Sequence, residues 1–385
     1  MVFLCVPRVL RLTLILTEKA MTPDKLTIRN IRARPVMPPF KRPPVSASGA
    51  LPHAALVLID LETEEGVTGR SYLFGFAAWT LKPIIGCIEA MRDLLKGDPV
   101  APYEIEAKLR KRLTLLDTPG LVGLALAGID MCAWDALAQA AGAPLVKLLG
   151  GDIKPVRAYN SCGLWIQPVE KLGDEAEALV AEGNFSAVKL RLGRDNPADD
   201  LAAARAVKKR VGDRITVMCD FNQRLTVNEA ILRGRMLDDE GLYWIEEPMR
   251  HDDYTGCARI AAALRTPLQT GENLVDTFEL INALQANAMD YVMPDIQRIG
   301  GVTGWLRAAA VTHAYGMEMS SHLFPEYSAH LLAVTPTSHW LEYVDWAAPV
   351  VNEPIQIKDG HALIPNRPGS GLTWNEDAVK RFTVS

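Results

Sequence analysis

The chain lacks the features that mark several classes of protein. Its six cysteines (Cys5, Cys87, Cys132, Cys162, Cys219, Cys257) are scattered, with no Cys-x-x-Cys pair. That argues against a disulfide frame or a thiolate zinc site, and for reduced, mostly buried thiols in a cytoplasmic protein. Positive charge is not in excess: 41 Lys and Arg stand against 46 Asp and Glu, net −5, so no basic field recommends nucleic acid or an anionic membrane as a partner. No Gly-x-Gly-x-x-Gly follows an expected strand and no Walker loop occurs, so nucleotide folds lose their usual support. Long apolar runs are missing too. Met1 to Ala20 is broken by Pro7, Arg8 and Arg11, and its longest clean stretch is Leu12 to Leu16, far short of the ~20 residues of a membrane helix. A signal peptide would place charge before the apolar run and small residues after it, whereas Thr17-Glu18-Lys19 follows here. Residues 1–21 are therefore expected to be a disordered extension with Met21 as the natural start, and nothing else approaches a membrane span.

What remains is 385 residues, 49% hydrophobic and 23% charged, enough for two domains or one large α/β barrel with an attached piece. Leu26 to Ala33 alternates, and Ala54 to Thr63 is a strand running into the turn Glu64-Glu65-Gly66, which together predict a small antiparallel sheet. Between them Pro35 to Pro52 has no periodicity, the mark of a functional lid. From Leu81 the pattern is helical, and Gly120 to Ala141 predicts a long buried helix ending at Gly142. After Val156 short apolar strands alternate with amphipathic helices. Strands are expected at Val156–Ser161, Ala187–Leu192, Ile215–Phe221, Leu242–Glu246, Leu268–Gly271, Tyr291–Met293, Glu318–Ser321 and Trp340–Val344. Eight such units in under 200 residues fit a closed (β/α) barrel better than an open sheet.

In such a barrel the chemistry sits at the C-terminal strand ends. Strand three ends in Asp220, strand four in Glu246 and strand five in Glu272, each 26 residues from the last. Three carboxylates aimed at one rim repel unless a cation joins them, and oxygen-only ligands point to Mg²⁺. On strand two Lys189 and Arg191 share a face; Lys189 is placed to bind a substrate carboxylate. Strands six and seven end in Asp295 and His322, a carboxylate–imidazole pair suited to general-base work. Glu342, on strand eight, is either a protonated donor to a substrate oxygen or a buttress of the rim. Asn222, which shares a face with Asp220, and Ser161 are candidate substrate contacts. The set fits removal of the α-proton of a carboxylate through an enediolate, whose charge a metal and hydrogen-bond donors stabilise.

These residues lie in segments that resemble the mandelate racemase/muconate lactonizing enzyme family of the enolase superfamily. They include Gly128-Ile-Asp-Met-Cys-Ala-Trp-Asp, Asp220-Phe-Asn-Gln, Trp244-Ile-Glu-Glu-Pro, Gly271-Glu-Asn, Met293-Pro-Asp-Ile-Gln-Arg-Ile-Gly-Gly and Ser320-Ser-His-Leu-Phe. The resemblance runs from about Leu26 to the C-terminus. It implies an α/β protein: a modified (β/α) TIM-type barrel (151–351) under an N-terminal α+β capping domain (22–150) that the segment 352–385 rejoins. It also implies Asp220, Glu246 and Glu272 as magnesium ligands and Lys189 as the substrate-carboxylate lysine. Asp295 and His322 match the base for one enantiomer, Glu342 the acid beside the enolate oxygen, and the protein is expected to be a homo-oligomer acting on a small-molecule carboxylate.

One position departs from the pattern. The family's racemases have a second lysine as the opposite base; here it is Arg191, and arginine stays protonated. The first expectation is racemisation of a mandelate-like 2-hydroxy acid, supported by the apolar loop Ser71 to Trp79. The alternative is an acid-sugar (aldonate or aldarate) dehydratase with His322 as acid and base, favoured by Arg191. Lys41 and Arg42 of the lid would suit a second anionic group, and Trp165 is expected to fill part of the pocket. A binding protein without turnover and a Schiff-base aldolase through Lys189 are the remaining readings, opposed by the Asp295/His322 pair and by the three acidic neighbours.

Overall fold

The computed structural model of the protein describes residues 25–116 and 118–384; the expectations for residues 1–21, and Cys5 with them, lie outside these. The alternation seen near the N-terminus becomes a three-stranded antiparallel sheet, Ile28–Val36, Leu56–Thr63 and Thr68–Phe74 in that order. The middle strand pairs Ile31 with Leu61 and Ile59 with Ser71. Helices Ala78–Leu95, Pro102–Arg112 and Leu121–Ala140 follow and enclose a core built around Ile28, Ile59, Ile84 and Ile129. Leu121–Ala140 is apolar and long enough to cross a bilayer, with a mean hydropathy of 1.6, so composition alone would not have excluded a span there. It is two-thirds buried and carries the buried carboxylates Asp130 and Asp135, which makes it the core helix of this domain.

The helix can lie against the sheet because Gly69 has no side chain. A Cβ at that position would run into the Cys132 carbonyl and lie 2.8 Å from the Ala136 nitrogen, both backbone atoms that cannot swing away. Gly69→Ala is expected to lower the unfolding free energy by about 1–3 kcal/mol; urea denaturation checks it, and an unchanged midpoint would refute the close approach.

The second half is a parallel barrel. Strands Pro155–Asn160, Ala187–Arg191, Thr216–Asp220, Ile245–Glu246, Leu268–Thr270 and Tyr291–Val292 run side by side, and Leu341–Tyr343 closes the ring onto the first. The expected seventh strand is reduced to isolated parallel bridges, Val292 with Met319 and Asp295 with His322. Its extension is cut off where Leu323 and Phe324 turn to φ of 51° and 48°, which swings the chain into helix Pro325–Val334. Seven helices alternate with the strands rather than eight; the eighth strand is followed by the 3₁₀ turn Ala348–Val350. The C-terminal chain first adds a hairpin, Gln356–Lys358 and His361–Leu363, to strand one. It then returns to the cap, where Trp374 Nε1 donates to Asp60 Oδ1 at 2.8 Å and the Met37 amide donates to the Phe382 carbonyl at 2.8 Å. Cap and barrel are also latched by Asp130, which accepts from the Thr303 amide at 3.0 Å, and by Tyr72, whose hydroxyl donates to Glu326 at 2.7 Å.

Two buried histidines make this fold acid-sensitive. His330 Nδ1 accepts from the Val146 amide at 3.1 Å, while His339 bonds Tyr243 and Ser320. Burial holds both neutral, with pKa values pushed down to about 4. An unfolded chain binds these protons near pH 6.5, so the stability they support is present above that value and lost as pH falls to about 4. The expected loss is up to about 3 kcal/mol per histidine. Denaturation curves from pH 7.5 to 4.5 should show it, with a shallower slope in His330→Asn; an identical slope would count against the assignment.

Candidate active site

The three acidic strand ends meet at the mouth of the barrel. Asp220, Glu246 and Glu272 each offer an oxygen, and the three oxygens lie within 4.8 Å of one another; all three residues are buried. Beneath them is an aromatic and apolar floor of Tyr159, Met218, Trp244 and Trp340, so little water screens their repulsion. Trp244 Nε1 donates to Glu246 Oε2 at 3.1 Å. Burial, together with Asp220, Glu342 and Glu272, pushes the Glu246 carboxyl up to about 8, although Lys189 opposes this. A donor set of three converging carboxylates with no nitrogen or sulfur fits a hard divalent cation.

Lys189 lies among the carboxylates. Its ammonium is 2.5 Å from Glu246, 2.7 Å from Glu342 and 3.6 Å from Asp220. Arg191 is next along the strand's face, with Nε 3.5 Å from Asp220 Oδ2 and Nη2 donating to Ser161 Oγ at 3.1 Å. Its guanidinium lies 4.7 Å from the centre of the Trp165 ring. Burial disfavours its charge, but Asp220, Glu342 and Glu246 outweigh that and raise its pKa further. Arg191 is thus held as a cation.

Across the mouth His322 Nδ1 is 2.7 Å from Asp295 Oδ2, while the other Asp295 oxygen accepts from the Gln297 amide at 2.7 Å. The pair is fixed with Nε2 left over, 3.4 Å from Glu272 Oε2. Burial works against the imidazolium, yet Glu272, Asp295 and Glu342 prevail and push His322 up to about 9. Glu342 is buried among the cations of the rim. It accepts from Ser161 Oγ at 2.7 Å and from the Leu323 amide at 3.0 Å. Lys189, His322 and Arg191 overcome the effect of burial and hold its carboxyl below the ordinary range.

A cavity of about 420 Å³ opens over these groups, and Arg191, Asp220, Asn222, Glu272, His322 and Trp165 line it. Ser161 does not. It is fully buried and spans Arg191 and Glu342, one layer below the cavity. The lid folds as a short hairpin, Val45–Ser46 with Gly49–Ala50, and Ser48 Oγ donates to the Asn222 carbonyl at 3.0 Å. Lys41 and Arg42 are not available for a second anionic group, since each is 2.7 Å from a Glu182 oxygen and neither lines the cavity. Phe76, Asn222, Gln223, Glu247 and Leu323 line the cavity with φ between 34° and 63°, a clustering of backbone strain typical of functional sites. Glu247 and Arg298 also line it, and neither is a last polar residue of a strand, so the strand-end rule does not pick them out. Their signal was present: a second glutamate beside Glu246, and a cation three residues past Asp295.

A capped (β/α) barrel with three oxygen ligands and an Asp–His pair at its mouth defines a class of metal-assisted carboxylate enzymes. Comparison gives the family. Residues 28–150 match the mandelate racemase/muconate lactonizing enzyme N-terminal domain, and residues 171–378 match the enolase C-terminal domain-like family. The chain belongs to this family, within the enolase superfamily. It is 32% identical over 334 residues to L-talarate/galactarate dehydratase of Salmonella typhimurium, covering 86% of this chain and 83% of that one. Among solved structures, an enolase from an alpha proteobacterium, BAL199, with bound magnesium superimposes with a TM-score of 0.92 at 47% identity, covering 93% of this chain and all of that one. An enolase from Bradyrhizobium complexed with magnesium and mandelic acid gives 0.90 at 39% identity, with 94% and 99% covered.

Proposed function

We propose that the protein is an Mg²⁺-dependent enzyme that removes the α-proton of a 2-hydroxycarboxylate with one base, His322, and dehydrates an acid sugar to a 2-keto acid. The observation that carries this is the setting of Arg191. A guanidinium between Asp220 and Glu342, stacked on Trp165, does not give up its proton near neutral pH, and racemisation needs a base on each face. The family relatives support the dehydration, since they include several acid-sugar dehydratases.

Asp220, Glu246 and Glu272 would hold Mg²⁺, whose charge would polarise the substrate carboxylate and make its α-proton more acidic. The remaining steps belong to the chain's own side chains. Asp295 fixes the tautomer of His322 so that Nε2 faces the cavity and takes the α-proton. Neutralising Glu272 removes the largest influence raising the His322 pKa, which moves the imidazole toward the range where a base works best. The same Nε2 then returns the proton to the departing β-hydroxyl as water, and the enol product becomes a 2-keto acid. Lys189 and Arg191 supply fixed positive charge beside the carboxylate.

The racemase reading keeps one observation in its favour. Phe74, Phe76, Trp165 and Trp346 give the cavity an apolar wall suited to an aryl 2-hydroxy acid. NMR in D₂O with Mg²⁺ and each mandelate enantiomer, then with a panel of aldonates and aldarates, tests both, with a chelated control. Exchange from one enantiomer at most, and 2-keto acid from a sugar acid, are the expected results. Exchange from both mandelate enantiomers at similar rates would overturn the one-base assignment. Arg191→Lys is expected to add exchange from the second face, since a lysine beside Lys189 can lose its proton.

A further inference from the structure

Arg298 stands apart from the other cations at the active site. It lines the cavity, yet no carboxylate lies within 4.0 Å of it among the described residues. Its Nη1 instead donates to Asn273 Oδ1 at 2.5 Å. A primary amide has one acceptor end and one donor end, and arginine can only donate. Arg298 therefore decides which way Asn273 faces. With Oδ1 taken, Nδ2 is turned to the acids: it donates to Glu247 Oε1 at 2.8 Å, to Glu247 Oε2 at 3.0 Å and to Glu272 Oε1 at 3.4 Å. Asn273 and Glu247 are both buried at the cavity wall, so a flipped amide would lose three donor contacts and set its oxygen against the two acidic side chains.

The other side of the guanidinium meets the cap. Its centre lies 5.0 Å from the Phe76 ring, and Phe76 adopts a φ of 62°, a conformation a bulky side chain holds only when its surroundings fix it. Arg298 and Phe76 together form the wall between the active-site cavity and a second cavity of about 280 Å³ lined by Arg110, Leu121 and Val275.

We propose that Arg298 is a positioning residue for the metal site: through Asn273 it orients Glu272 and holds Glu247 in place, and through Phe76 it ties that arrangement to the capping domain. The inference rests on the proposal that Asp220, Glu246 and Glu272 bind a divalent cation. Residues that orient ligands in this way typically change metal affinity about 10- to 100-fold when replaced, without touching the ion.

The test is Mn²⁺ affinity, read from the free-ion EPR signal at pH 7.5 on wild type, Arg298→Met, Arg298→Lys and Phe76→Ala, with unfolding temperatures measured in parallel. Arg298→Met is expected to bind Mn²⁺ about 10- to 100-fold more weakly, Arg298→Lys to recover part of the loss, and Phe76→Ala to weaken binding about two- to five-fold. If Arg298→Met does not fold, Asn273→Ala removes the shared amide and should show the same loss. A folded Arg298→Met or Asn273→Ala with affinity within about two-fold of wild type, whatever its unfolding temperature, would overturn the inference alone. Failure of the wild type to bind Mn²⁺ would overturn the metal reading and this inference with it.

Discussion

His322→Asn is expected to lose about 10²- to 10⁴-fold in the rate of α-proton exchange while keeping its fold and its affinity for Mg²⁺. Asn preserves a polar group toward Asp295 but has nothing that takes a proton near neutral pH. The loss should fall on kcat rather than KM, because the imidazole Nε2 acts on the proton and the proposed carboxylate grip comes from elsewhere. Asp295→Asn should lose activity by a different route, leaving the base present in the wrong tautomer. Because Asp295 is one of the groups that raise the His322 pKa, the exchange rate of Asp295→Asn should level off at lower pH than that of the wild type. Rates measured by NMR from pH 6 to 9 check both variants. A His322→Asn protein that exchanged within about ten-fold of wild type would mean that the base is another group.

That prediction depends on a pair that was legible in the sequence, and the reason is geometric. A barrel strand delivers its last polar residue to the mouth, so the regular 26-residue interval from Asp220 to Glu246 to Glu272 already implied three adjacent carboxylates, and the structure brings them within 4.8 Å. Asp295 and His322 followed from the same rule. The rule holds even where strand seven is too short to form a ladder, because a single bridge fixes His322 beside Asp295. The barrel and the antiparallel cap sheet were legible for a similar reason: period two and period 3.6 are local patterns.

What the sequence hid was the partner of each polar residue. Lys41 and Arg42 looked free for substrate, but Glu182 lies 140 or more positions away in sequence and takes both. Ser161 sits at a strand end like the others, yet its hydroxyl is turned between Arg191 and Glu342, so only a three-dimensional neighbour list separates it from the cavity. The Arg298–Asn273 link joins the turns that follow two neighbouring strands, and neither residue has an unusual spacing. The protonation of Glu342 was open for the same cause: whether a buried acid keeps its proton depends on how many cations face it, and Lys189 and Arg191 come from one strand while His322 comes from the far side of the barrel mouth.

Lys189→Met is expected to be the costliest single change to stability, about 3–5 kcal/mol in chelated buffer. The ammonium is 1% exposed and is the nearest countercharge to both Glu246 and Glu342. Although burial and Arg191 oppose its charge, the acids raise its pKa overall, which favours the cation at neutral pH. Methionine fills the volume but leaves carboxylates facing one another over an aromatic floor. A companion change separates charge from packing. Lys189→Met combined with Glu246→Gln removes a carboxylate along with its partner and should recover a substantial part of the loss, giving a coupling energy of about 0.5–3 kcal/mol in the double-mutant cycle. Chemical denaturation in excess chelator measures all four proteins. Additive losses would mean that Lys189 acts by packing alone, and a single-variant loss below about 1 kcal/mol would mean that the carboxylates are neutralised by protonation instead of by the lysine.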